Sequence, residues 1–194
     1  MLAITEKKIN KKAVTMTEEV RGQFPSPDSE PQTKQEQLNV ILKNNPWLSH
    51  VFLFDEKSFL FLSQPSQMED SYFRKEHEHM AGSYRTWFTS SEGKSLVTSM
   101  HKKSRPFTFY SGMTKRADGE LFATTALFVM PNLPKERIVI GGATFDAKYL
   151  EKKFFPGMLE ELVSQKMVDQ GGNPLAMVVY PVESDMSGDI KPLA

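Results

Sequence analysis

Cysteine is absent from this chain. That excludes thiol nucleophiles, disulfide scaffolds and thiolate zinc sites together. The absence suits an oxidising compartment, where a stray thiol is a liability, although many cytosolic proteins share it. Net charge is missing as well: 24 Lys and Arg balance 24 Asp and Glu over 194 residues. With no excess of either sign there is no global field to attract nucleic acid or an anionic membrane, so no nucleic-acid partner is expected. No apolar run approaches the roughly 20 residues that a membrane span needs. The apolar start of the chain meets Glu6, Lys7 and Lys8 at once, which is not the layout of a signal peptide. The sequence reads as a soluble piece. Catalytic signatures are also lacking: there is no Gly-rich phosphate loop, no nucleophile elbow and no ordered Ser/His/Asp set. No catalytic residue, cofactor or metal is therefore expected, and the chain itself is not expected to be an enzyme.

What is present is a core. Hydrophobic residues make up 39% of the chain and include 14 Phe, enough for one good-sized domain with appendages. Residues 1–24 carry Ile9, Ala13, Met16, Val20 and Phe24 in steps of four, three, four and four, an apolar stripe on a long charged helix. Such a helix either docks on its own domain or pairs, as a stalk, with a second copy. Pro25, Pro27 and Pro31 make residues 25–31 a linker. Thr33 and Glu36 have capping-box spacing before a helix with Leu38, Ile41 and Leu42 on one face.

The strands come next. Residues 50–54 and 58–63 form a hairpin, followed by a polar, mostly helical stretch over 64–105. Residues 107–113 alternate with period two. Ala117-Asp118-Gly119 turns the chain into 121–130, read as the central strand, and 137–145 is the last of three. Asp146 is placed as a helix N-cap, and the helix after it is interrupted by Pro156. A final apolar strand is expected at 175–180, with a tail over 183–194. The expected fold is α+β: a five-stranded antiparallel sheet flanked by helices, with a long N-terminal helix. Domain limits are expected at 1–46 (stalk, linker, second helix), 47–182 (domain) and 183–194 (tail).

Two clusters carry chemistry. Glu76-His77-Glu78-His79 is dense in metal-capable groups, but on a helix two histidines two apart are splayed by about 200°. A solvated charged face is favoured there over a zinc site. His101 opens a basic run, His101-Lys102-Lys103-Ser104-Arg105, suited to a helix end or an anion patch. The second cluster is Tyr84-Arg85-Thr86-Trp87-Phe88.

The paired strands, the closure Gly141-Gly142-Ala143-Thr144-Phe145-Asp146 and the Arg85–Trp87 cluster resemble PAS-like Cache domains. These are the extracytoplasmic sensor domains of bacterial membrane-bound receptors, above all sensor histidine kinases. The resemblance runs over roughly 47–150, and PAS-like folds put their helical insertion between the second and third strands. It implies a ligand site in which Arg85 holds a carboxylate by a forked pair of hydrogen bonds, Trp87 walls the pocket, and Tyr110 and Asp146 hold the amine. It further implies a periplasmic or extracellular location, a membrane-anchored parent chain with a two-component kinase output, and a homodimer through the N-terminal helix. Two other readings stand beside it. One is an intracellular PAS- or GAF-type regulatory module, and the other a small metal-dependent hydrolase using Glu76, His77 and His79.

Overall fold

A computed structural model describes residues 2–55, 58–65, 71–102, 107–116, 119–130, 133 and 137–164. Five strands form one antiparallel sheet: β1 (Leu48–Asp55), β2 (Ser58–Ser63), β3 (Phe107–Arg116), β4 (Gly119–Val129) and β5 (Ile140–Phe145). Their order is β2-β1-β5-β4-β3. β1–β2 and β3–β4 are hairpins of neighbouring strands, and β5 lies between them, pairing with β1 on one side and β4 on the other. The middle strand is therefore β5, not the segment 121–130 expected from its apolarity. Residues 137–139 precede β5 without being part of it.

Gly141 and Gly142 explain how β5 fits. A Cβ on Gly141 would lie 2.2 Å from the Phe128 ring, and one on Gly142 would lie 2.0 Å from the Phe52 ring. Phe128 pairs with Gly141 across β4–β5 and Phe52 with Gly142 across β1–β5. Successive strand residues point to opposite faces, so each glycine accepts one ring, on opposite sides of the sheet.

The Phe128 face receives the N-terminal helices α1 (Leu2–Gln23) and α2 (Pro31–Asn44). Val20 of α1 and Phe24 just beyond its end, with Leu38, Ile41 and Leu42 of α2, share a core with Val51, Leu53, Ala126 and Phe128. Phe24 meets Phe128 edge-on at 4.6 Å, an arrangement favoured by the ring quadrupoles. Thr17 is also buried, its hydroxyl donating to the Ala13 carbonyl at 2.8 Å. The stripe thus splits: its last two turns dock on the domain, while Ile9 and Ala13 stay half-buried. Helix α2 starts at Pro31, with Glu30 at the N-cap and no side-chain cap bond, so Thr33 lies inside the helix and forms no capping box. Proline suits that first position because its missing N–H would be unpaired anyway. The linker is held to the sheet by Arg137, which donates to Asp55 Oδ2 at 2.8 Å and pairs with Asp28.

The Phe52 face receives α3 (Ser71–Thr89) and α4 (Ser91–Lys102). Met80, Phe88, Val97 and Met100 pack there on Phe52, Phe61, Leu127 and Ile140.

After β5, Asp146 caps the short helix α5 (Ala147–Tyr149), its Oδ1 accepting from the Tyr149 N–H at 2.7 Å. A π-helical turn, Leu150–Phe154, replaces the expected continuous helix. Helix α6 (Phe155–Ser164) follows, with Pro156 in its first turn, where it starts a helix rather than breaking one. The compact units divide after Leu150, into 1–150 and 151–194, where the sequence suggested limits after 46 and 182. The strand expected at 175–180 and the tail over 183–194 lie outside the described residues.

Candidate ligand-binding face

One row of the sheet is polar from edge to edge. Ser63 pairs with His50, His50 with Thr144, Thr144 with Thr125, and Thr125 with Tyr110. The five residues sit at one level on all five strands. Cross-strand partners point to the same side, and Tyr84 of α3 reaches Thr125, so the row faces the α3–α4 layer. Ser63, His50, Thr144 and Thr125 are buried. The next row, Phe61, Phe52, Gly142, Leu127 and Thr108, is almost wholly apolar.

Buried polar groups need partners, and α3 supplies several. The Tyr84 hydroxyl is hydrogen-bonded to Thr125 Oγ1 at 2.6 Å, and Thr125 Oγ1 to Thr144 Oγ1 at 2.9 Å. Burial raises the Tyr84 pKa above its usual value, against the bonds from Thr125 and Thr144, which lower it. The phenol therefore remains protonated. At the other end, His77 Nδ1 lies 2.6 Å from Ser63 Oγ. His77 and His50 both pack against the Phe61 ring, with centroids at 5.0 and 5.2 Å. At the irregular register between Leu48 and His50, the Ser49 hydroxyl donates to the Thr144 carbonyl at 3.3 Å.

The sequence-derived residues are not gathered into one pocket. Trp87 of α3 and Tyr110 of edge strand β3 do meet, with ring centroids 5.0 Å apart. Arg85 is exposed, and its guanidinium lies over Phe59 of β2, 5.7 Å from the ring centroid. Strands β2 and β3 are the opposite edges of the sheet, about 19 Å apart at four interstrand spacings. Residues 85 and 87 are two apart on a helix, so they leave it in nearly opposite directions. Arg85 therefore does not point inward as the carboxylate clamp required. Asp146 is engaged as the cap of α5. The expected cavity between α3 and the sheet is filled by Phe52, Phe61, Phe88 and Leu127.

An open groove of about 640 Å³ lies instead on the solvent side of α3. Its lining includes Trp87, Glu78, His79, Gly82 and, from the start of α4, Glu92, but neither Arg85 nor Tyr110. His77 turns to the sheet while His79 lines this groove, the splay that helix geometry imposes. Among the described residues no group of three or more His, Asp or Glu is placed to hold a metal. His77 and His79 thus face different surroundings; the side chain of Glu76 and the basic run 103–105 lie outside the described residues.

The polar row is not legible in the sequence because its members are scattered from position 50 to position 144 and meet only through strand register. The available signal was a polar residue interrupting each apolar strand. No protein-family model matches the chain, and no curated protein matches it.

Burial lowers the His77 pKa from its ordinary value of 6.5, outweighing the opposite pull of Glu78. Below 6.5 the unfolded chain takes up the proton first, so stability present above that pH falls as pH drops through it. Melting temperature measured from pH 8 to pH 5 is expected to fall less steeply for His77→Gln than for the parent. Parallel curves would show that His77 does not contribute.

Proposed function

We propose that this chain is the extracytoplasmic signal-sensing domain, PAS-like and of the Cache type, of a bacterial membrane-bound two-component sensor histidine kinase. The supporting observation is how the single sheet connects its two faces. The face under α3 carries the polar row, and the other anchors the end of the long helix α1 through Phe24 and Phe128. In the middle strand, Gly141 and Gly142 are pressed from opposite sides by Phe128 and Phe52. The helical segment between β2 and β3 falls where the resemblance puts its insertion.

In this reading a small ligand on the α3 side favours one arrangement of helices and sheet over another. A population shift needs only a differential affinity of a few kcal/mol. The displacement passes through the glycine pair to α1, whose half-buried Ile9 and Ala13 supply a homodimer seam leading towards the membrane. No helix among the described residues is long and apolar enough to cross a membrane, so the anchor would belong to other parts of the parent chain.

The chain has no cysteine, which makes its location testable. With Lys148→Cys at an exposed position, the protein expressed in its natural reading frame is expected to react with a membrane-impermeant maleimide on intact spheroplasts. Labelling only after lysis would overturn the extracytoplasmic reading and favour an intracellular PAS- or GAF-type module.

A further inference from the structure

Gly82 has no packing reason to be glycine. It lies in the interior of the 19-residue helix α3, where glycine weakens the helix relative to alanine. A Cβ built there would meet nothing within 4 Å. Gly93 is the opposite case: its Cβ would fall 2.2 Å from the Trp87 carbonyl oxygen, so glycine is required for α4 to close on α3. The Ser90 hydroxyl completes that junction, donating to the Trp87 carbonyl at 2.6 Å and accepting from the Gly93 N–H at 3.2 Å. The junction fixes Trp87 and Glu92 at one end of the groove, and Gly82 keeps the groove open.

The lining has a definite chemistry. Among the described residues it contains an indole, the His79 imidazole and two carboxylates, Glu78 and Glu92, and no lysine or arginine. The start of α4 would by itself favour an anion, but Ser90 already accepts from its Gly93 N–H and Glu92 stands in its first turn. An anionic ligand entering here would meet two carboxylates. A cation would be attracted by both and by the face of Trp87, the aromatic ring best suited to cation–π contact.

We propose that the groove binds a small organic cation, an amine or quaternary ammonium with a short apolar body. The ligand sits over Gly82, against Trp87, with Glu78 and Glu92 as counter-charges. This names a ligand class for the sensor reading; it rests on that reading for its biological role, while its chemistry stands on the groove alone.

The test uses the purified 194-residue chain at low ionic strength, with choline as probe and its neutral isostere 3,3-dimethylbutan-1-ol as control. Choline is expected to raise the melting temperature saturably, since any ligand of the folded state does so. The alcohol should bind about tenfold more weakly or worse, the loss expected when a cation–π and charge contact is removed. Gly82→Leu, which fills the groove floor where there is room for a side chain, should abolish the choline shift without lowering the unliganded melting temperature. Glu92→Gln, at an exposed position, should weaken calorimetric binding several-fold. Equal responses to choline and the alcohol, no saturable response to choline, or a choline shift that survives Gly82→Leu would overturn the proposal. Failure here leaves the maleimide experiment on location unaffected. Labelling only after lysis would remove the sensor role and leave a measured cation site in place.

Discussion

Leu127→Asp is expected to abolish cooperative folding. Leu127 is fully buried on β4, packed in the cluster that contains Phe52, Phe61, Phe88 and Ile140. A carboxylate there would be surrounded by aromatic and aliphatic side chains. Thr125, two residues away on the same face, is already bonded to Tyr84 and Thr144. Burying an ionised group without a partner costs more than almost any other single substitution, about 4 kcal/mol or beyond. Domains of this size are stable by only about 5–15 kcal/mol. Urea denaturation followed by far-UV circular dichroism should show either no transition or a midpoint far below that of the parent. A variant with the parent's midpoint would mean that this face of β4 is not core.

Gly142→Val should be nearly as damaging, for a reason that concerns shape rather than charge. The added Cβ would fall 2.0 Å from the Phe52 ring, and Phe52 cannot withdraw easily because Tyr84 and Phe88 pack against it at 5.0 and 5.6 Å. Overpacking costs about 1–3 kcal/mol, and sometimes more where neighbours cannot move. The cause can be isolated by a second substitution. Phe52→Leu alone should destabilise by leaving space, yet combined with Gly142→Ala the pair should be more stable than the sum of the two changes predicts. Neighbouring residues that share one volume are not additive. Strict additivity in chemical denaturation would show that the glycine is needed for another reason.

Much of the fold was legible because it rests on local periodicity. The hairpin at 50–63, the alternating segment beginning at Phe107 and the helical stretch between them follow from side-chain spacing and turn chemistry. So does the Asp146 cap, whose carboxylate finds a backbone N–H three residues on. The misreadings share a physical cause. Apolarity on both faces points to the segment 121–130 as the middle strand, but an interior strand beside the middle is equally covered. Thr33 with Glu36 matched a capping box, yet Pro31 already starts the helix with a fixed backbone angle. Arg85 and Trp87 looked like parts of one pocket because they are close in sequence, and the helix sends them towards opposite edges of the sheet.

The sequence by itself determined the elements, the α+β class and the absence of thiol chemistry, since each depends on residue type or on spacing within one segment. The tertiary structure decided which residues meet. Only the pairing of β5 with both hairpins aligns Ser63, His50, Thr144, Thr125 and Tyr110 into one row. Only the approach of α4 to α3 makes Gly93 a necessity and leaves Gly82 as open space. Pairing register and helix packing are set by burial of the whole core at once, and no single stretch of the chain contains that information.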